Sequence, residues 1–465
     1  MKFTNTLTKQ KEEFIPLQDK KVNMFVCGPT VYDFIHIGNA RTFVIFDAIA
    51  KYLEYQGFNL TYIQNITDID DKIIDRAQRE KREWQDIAKE FENNFKEDVK
   101  FLGIDSVDNY AKASEHIEEV KKQVQILLDK EVAYIINGDG VYFDLSKFSE
   151  YGELSGRTIE MAEDAISRID QSEDKRNKGD FALWKFSKEN EPSWTADFGE
   201  GRPGWHIEDT AITEHYFGPQ YDLHGGGIDL IFPHHEAEIA QQESISGLKP
   251  FVKYWLHPGF LITEEKKMSK SKGNFVTINK LKENYSKEAL RFCLLSAHYR
   301  SPLEFSDKIL KQAEAAVQRI GEFKFRHENI GKKNKEINED FGKTTEKAYQ
   351  KIEESLSDDF DMPQALSWFF AFIQGANNNI RQGFSTNLET VGKILDLFDQ
   401  VIGVVPTFKT NLPEAIEKLV ELRERMREEK RYSESDDIRS QIESQGFSIE
   451  DTKYGPLTKT IKKGA

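Results

Sequence analysis

Cysteine is almost absent: Cys27 and Cys293 are the only two in 465 residues. So sparse a pair excludes a disulfide framework and points to a reducing, cytoplasmic setting. No run of about eighteen apolar residues occurs, which argues against a membrane-spanning helix and a membrane partner. The opening stretch MKFTNTLTKQKEEF lacks the apolar centre of a secretory signal. A basic excess is missing too: 64 Lys and Arg stand against 80 Asp and Glu, a formal net charge of −16. That excludes a chain coated in nucleic-acid-binding charge, yet a local basic patch would still suffice for binding. Internal repeats and long low-complexity segments are also absent. What is present is a hydrophobic content of 38%, enough for sizeable cores spread over roughly two to four domains.

KVNMFVCGP (21–29) reads as a buried strand stopped by Gly-Pro. ARTFVIFDAIAKYLEYQG (40–57) reads as an amphipathic helix, with Val44, Ile45, Ala48, Ile49, Tyr52 and Leu53 in helical period and Gly57 at the C-terminal cap. FNLTYIQNI (58–66) is a second strand. Strand, helix, strand at this spacing predicts a βαβ unit and a parallel sheet. GPTVYDFIHIGN (28–39) then lies at the carboxyl end of a strand, where open α/β sheets bind ligands. Residues 70–130 read as mostly helical. From about 112 to 205 the pattern is irregular, with a hairpin at INGDGVYFDL (136–145), and YDLHGGGIDLIF (221–232) returns to strand character. Residues 279–405 are helical around a polar break at 326–338, and a charged helix pair precedes a small β element at 446–460.

FPHHEAEIAQQE (232–243) puts His234 and Glu238 four apart, on one face of a helix and at metal-ligand spacing. A protein-held metal usually takes three or four ligands, so others must come from elsewhere in the chain. HIGN (36–39) precedes the predicted helix, whose free N–H groups and positive dipole end suit phosphate. By itself it is a short match, and a lone histidine is more often structural. KKMSKSKGN (266–274) places four lysines within seven residues on a Ser/Gly loop, able to swing onto a polyphosphate. An isolated lysine cluster would be read as solvated loop. HIGN and KMSKS together, in that order on an α/β domain, form a specific combination.

That combination resembles the nucleotide-binding signature of class I aminoacyl-tRNA synthetases. FVCGPTVYDFIHIGNARTF, NITDIDDKII, DFALWK, GRPGWHIE, HGGGIDLIFPHHE and KMSKSKGNF narrow the resemblance to the cysteinyl-tRNA synthetase family. It runs from about residue 2 to the end and is densest through 310. It implies a Rossmann-type parallel-sheet catalytic domain (1–111 and 206–250) with a connective insertion (112–205). A stem-contact region carrying KMSKS (251–310), a helical bundle (311–407) and an anticodon-binding domain (408–465) would follow.

By the same resemblance, one Zn2+ sits at the amino-acid pocket, held by two Cys, one His and one Glu. Three positions match: Cys27, His234 and Glu238. The fourth ligand should follow GWHIE, where this chain has Asp209. Aspartate keeps the −1 charge of a thiolate, and its longer reach offsets a metal bond of about 2.0–2.2 Å against about 2.3 Å for sulfur. Cys27, Thr67, Trp205 and Asp209 are expected around the substrate cysteine. Thr30, His36, Asn39, Gly226, Asp229 and Lys270 are expected around ATP with its Mg2+. His36, Asn39, Lys267 and Lys270 would carry the catalysis. Arg427, Tyr432, Asp436 and Asp451 would meet the anticodon, Tyr432 standing where relatives usually carry Trp.

The implied partners are ATP, L-cysteine and tRNA(Cys), and a monomer is expected. A same-fold ligase that joins cysteine to an amino sugar would share the nucleotide and metal motifs. It lacks the anticodon domain, so the long chain after 310 argues against it. A non-catalytic tRNA-binding paralogue is opposed by intact HIGN and KMSKS.

Overall fold

The computed structural model describes residues 1–157, 172, 174–263, 266–267, 276–406, 412–452 and 455–460. Met1–Leu310 with Ser355–Pro363 form one compact unit, and Lys311–Glu354 with Gln364–Ala465 form a second.

The first unit is built on five strands: β1 (Lys21–Val26), β2 (Asn59–Ile66), β3 (Asn109–Lys112), β4 (Tyr221–Gly225) and β5 (Val252–Leu256). Their spatial order is β5-β4-β1-β2-β3, and every pairing is parallel. This is the doubly wound order whose direction reverses between β1 and β4, leaving a crevice at their carboxyl ends. The central strands bury nearly every side chain. Val22, Met24, Phe25 and Val26 of β1 are all enclosed, as expected where helices cover both faces of a sheet.

Between β1 and β2 runs α1 (Ile37–Tyr55). It starts three residues before the predicted Ala40, because His36 is its cap. The His36 ring accepts from the Asn39 amide at 3.2 Å, and the Asn39 side chain accepts from the His36 amide at 3.3 Å. This reciprocal pair satisfies two N–H groups that a helix start otherwise leaves bare. Gln56 caps the other end, and Gly57 follows in a left-handed conformation (φ +86°) that costs glycine little. Arg41 of α1 is buried and donates to the carbonyls of Gly259, Phe260 and Ser301, so α1 fixes the segment that leads toward the lysine-rich motif.

The segment predicted as mostly helical contains the helices Asp71–Glu80, Trp84–Phe101 and Ile117–Asp129, but also β3. β3 is only four residues long and lies on the sheet edge. So short an edge strand leaves no readable alternation. The chain between β3 and β4 folds into a four-stranded antiparallel sheet that includes the predicted hairpin, Ala133–Ile136 paired with Gly140–Phe143. It then enters α2 (Ile207–Phe217). Beyond β4 the predicted strand character of 226–232 is absent. A turn at Ile228–Leu230 and a kinked turn at Ile231–His235 lead into α3 (Glu236–Ser246).

In the second unit, helices Glu339–Ser357, Met362–Arg381 and Glu389–Asp396 contribute to a bundle. Helices Glu414–Glu428 and Tyr432–Ser444 and the strand pair Phe447–Thr452 and Gly455–Thr460 follow it. This terminal part has its own small core of Ile416, Met426, Ile438, Ile442 and Ile449. No helix among the described residues is long and apolar enough to cross a membrane.

Candidate active site and metal centre

A cavity of about 360 Å³ opens at the carboxyl ends of β1 and β4, where the strand order reverses. Cys27 follows β1 directly, Thr67 follows β2, Asp209 lies in the first turn of α2, and His234 and Glu238 come from the turn and helix after β4. Four elements distant in sequence thus converge on one point. His234 Nε2 lies 3.0 Å from Asp209 Oδ2 and 3.0 Å from Glu238 Oε1, and Cys27 Sγ lies 3.5 Å from Asp209 Oδ2. Cys27, Asp209, His234 and Glu238 form a group able to hold a metal ion. His234, not His235, belongs to that group with Asp209.

The electrostatics fit a cation there. Burial, then the charges of Asp209 and Glu238, push the Cys27 thiol far up. Burial, then Asp209, raises the Glu238 carboxyl well above its ordinary range. Glu238 is fully enclosed, with one oxygen 3.0 Å from His234 Nε2 and the other 3.5 Å from His224 Nε2. Carboxylates buried beside one another are costly, and a divalent ion would supply the missing positive charge. One thiolate, one imidazole and two carboxylates are all zinc ligands. The donor set therefore fits zinc.

Neighbours orient these groups. Asn65 donates to Asp209 Oδ1 at 2.6 Å, which leaves Oδ2 turned toward Cys27 and His234. His206 Nδ1 meets His234 Nδ1 at 2.7 Å, and Trp205 stacks on the His234 ring at 4.5 Å and 17°. Glu208, next to Asp209, takes the Thr67 hydroxyl. Burial and then Asp209 raise its carboxyl far up. Burial lowers His206, His224 and His235 well below the usual imidazole range and His257 to about 3, so these rings are neutral.

Thr30, His36, Asn39, Thr67, Trp205 and Asp229 line the same cavity. His36 and Asn39 stand at the first turn of α1, already capping one another. Thr30 bridges Thr67. Gly226 packs against the His235 ring, where a Cβ would sit 2.7 Å from Cε1. Its lack of a side chain is thus required by the protein's own packing. Lys267 ends the short strand Lys266–Lys267. Lys270 lies outside the described residues.

The family model for the tRNA synthetases class I (C) catalytic domain matches residues 13–315. A cysteine–tRNA ligase of Clostridioides difficile (strain 630) is 43% identical over 99% of this chain and 100% of its own length. One from Thermoplasma volcanium is 43% identical over 96% of this chain and 97% of its own. The chain belongs to the cysteine–tRNA ligase family of class I tRNA synthetases. Among solved structures, Mycobacterium tuberculosis methionyl-tRNA synthetase in complex with methionyl-adenylate shares the fold. Its TM-score is 0.61 at 15% identity, over 82% of this chain and 91% of that one.

In this family member the terminal residues expected at the anticodon occupy different situations. Tyr432 begins its helix and is 59% exposed. Asp436 is also exposed. Asp451 is gripped by Arg423, Arg427 and Arg439 at 2.7, 3.0 and 3.2 Å. Those bonds, Arg423 first, hold its carboxyl below the usual range. Arg427 and Asp451 therefore brace one another, while Tyr432 presents an open ring. Sequence reasoning missed Asn65, His206, Glu208, His224, His235 as a contact of Cys27, and His257. The signal available was polar residues at strand and helix ends whose neighbours are apolar, such as His224 in YDLHGGG.

Proposed function

We propose that the chain is a cysteine–tRNA ligase that activates L-cysteine with ATP and passes it to the 3′-terminal adenosine of tRNA(Cys). The convergence of Cys27, Asp209, His234 and Glu238 at the end of a nucleotide-type crevice carries this reading. A carboxylate oxygen of cysteine attacks the α-phosphorus of ATP and pyrophosphate leaves; the tRNA hydroxyl then attacks the carbonyl carbon of the cysteinyl-adenylate, forming the cysteinyl ester and releasing AMP. No protein nucleophile is needed, so the residues act by positioning and charge stabilisation.

Thr30, His36, Asn39 and the positive end of α1 receive the phosphates, with Gly226 and Asp229 beside the nucleoside and Mg2+ accompanying ATP. Lys267 and Lys270 neutralise the departing pyrophosphate. Trp205 and Thr67 confine the amino-acid side chain. Zinc held by Cys27, Asp209, His234 and Glu238 would offer the substrate thiolate a soft Lewis-acidic partner, a bond serine's hydroxyl does not match. Tyr432 offers a stacking face to an anticodon base, at less area than a Trp would present.

The test is pyrophosphate exchange with cysteine and with serine, followed by charging of purified tRNA(Cys). Cysteine-dependent exchange and cysteine-specific charging are expected. Exchange without charging of any tRNA, or exchange that treats serine as well as cysteine, overturns the proposal.

A further inference from the structure

Behind the four expected ligands stand two more histidines aimed at the same sulfur. His235 Nε2 lies 3.1 Å from Cys27 Sγ and His224 Nε2 lies 3.3 Å from it. His224 Nε2 is 3.5 Å from Glu238 Oε2. Donors bound tetrahedrally at about 2.0–2.3 Å stand about 3.3–3.8 Å from one another, so these separations approximate the edges of a coordination polyhedron.

We propose that Cys27, His224, His235 and Glu238 form a second metal seat, adjacent to the first and sharing Cys27 and Glu238 with it. The hydrogen bonds on the far side of each ring set it up for this. Tyr221 Oη lies 2.6 Å from His224 Nδ1. His235 Nδ1 lies 2.8 Å from His257 Nε2, and His257 Nδ1 lies 2.8 Å from Thr6 Oγ1. With the hydroxyl oxygens at both ends accepting, each Nδ1 carries the proton and both Nε2 lone pairs face Cys27, the tautomers this seat requires. Outer partners of this kind fix the tautomer and orientation of metal-binding histidines. Glu238 serves both seats, one oxygen toward His234 and the other toward His224.

The two seats differ in access. Cys27, Asp209 and His234 line the cavity, so an ion in the first seat can meet a substrate sulfur. His224 and His235 are 0% exposed, which makes the second seat closed, in the manner of structural zinc sites. Two imidazoles and a thiolate suit zinc, cobalt and nickel. In this proposal the two seats, which share Cys27 and Glu238, are alternative positions of one ion. The second seat is a resting position in which the metal is retained but kept from the substrate. Asp209 makes it consequential here, because an oxygen in place of sulfur weakens the competing first seat toward soft ions. The inference rests on the pocket reading only for the role of the first seat.

The test uses the full-length chain, stripped with chelator and reloaded with Co2+. The double variant Asp209→Ala, His234→Ala removes the first seat alone. It is expected to retain about one Co2+ per chain after gel filtration, with a thiolate-to-cobalt charge-transfer band that disappears when Cys27→Ser is added. X-ray absorption should count two imidazoles in its shell. Retention below about a tenth of an ion per chain, or a shell with one imidazole, overturns the proposal. Should that variant not fold, Asp209→Asn with His234→Gln keeps the volume and the hydrogen bonding and carries the same readouts. Failure of the pocket reading would appear elsewhere, as a wild-type chain lacking cysteine-dependent pyrophosphate exchange, on which this count does not depend.

Discussion

Asn65 donates its amide to Asp209 Oδ1 across 2.6 Å while its own carbonyl oxygen takes the Gly28 amide at 2.5 Å. One side chain thereby ties the loop after β1 to the first turn of α2 and leaves one oxygen of Asp209 for a metal. A thiolate at position 209 would need no such orientation, since sulfur has no second oxygen to restrain. Asn65→Ala should therefore lower cysteine-dependent pyrophosphate exchange by about 10²-fold in the wild-type background and clearly less in an Asp209→Cys background. The Gly28 bond is lost in both, so the cycle isolates the Asp209 term. Equal losses in the two backgrounds would assign the effect of Asn65 to its other partners, Gly28, Thr67 and Glu208.

Tyr432 is the exposed aromatic of the terminal helix pair. Base stacking on an aromatic is worth about 1–3 kcal/mol, so Tyr432→Ala should raise the KM for tRNA about 10-fold or more and leave pyrophosphate exchange untouched. Tyr432→Trp should restore or improve charging. A fall in both activities would mean that the substitution disturbs folding and not recognition.

The parallel sheet was legible because β1, α1 and β2 each follow one clear period and follow one another closely. The edge strand β3 was not, since four residues at a sheet margin show neither alternation nor a long apolar run. That Cys27, His234 and Glu238 come together was foreshadowed by the Pro-His-His-Glu stretch and the resemblance. His224 was hidden because a histidine at the end of a buried strand looks like strand. Its meaning comes only from parallel pairing of β4 with β1, which brings it beside Cys27. Asn65 was hidden for the same reason, its partner lying on a helix 144 positions away.

Lys270→Ala should slow adenylate formation by about 10²-fold or more with little change in cysteine affinity. A lysine acting on the departing pyrophosphate contributes in the transition state and hardly in the ground state. Single-turnover rates against cysteine titration separate the two. Lost cysteine affinity with an intact chemical step would count against this role.

Glu243 gives a pH signature outside the site. Burial raises its carboxyl from 4.5 to about 7, although the Phe251 amide, 3.0 Å away, opposes the shift. The folded state thus holds this proton more tightly than the unfolded chain. The associated stability is complete below about pH 4.5 and is lost as pH rises through about 7. Glu243→Gln mimics the protonated form, so its Tm relative to wild type should climb between pH 5 and 8. A constant difference across that range would show that Glu243 ionises normally.

Metal removal bears most directly on Asp209. A chelator should abolish cysteine-dependent exchange, and added Zn2+ should restore it. Carboxylate donates less charge to zinc than thiolate does, so an ion in the first seat would be more Lewis-acidic and less firmly retained than one held by two sulfurs. Asp209→Cys should accordingly hold zinc about 10-fold more tightly in chelator competition and keep its preference for cysteine over serine. Asp209→Asn keeps the shape but removes the charge that balances the ion. It should lose that preference even where an ion remains bound. If Asp209→Cys and wild type release zinc alike, and Asp209→Asn still selects cysteine, the carboxylate is no ligand. Selection would then fall to the walls formed by Trp205 and Thr67, and a hydrophobic wall distinguishes near-isosteres by only about 1–3 kcal/mol.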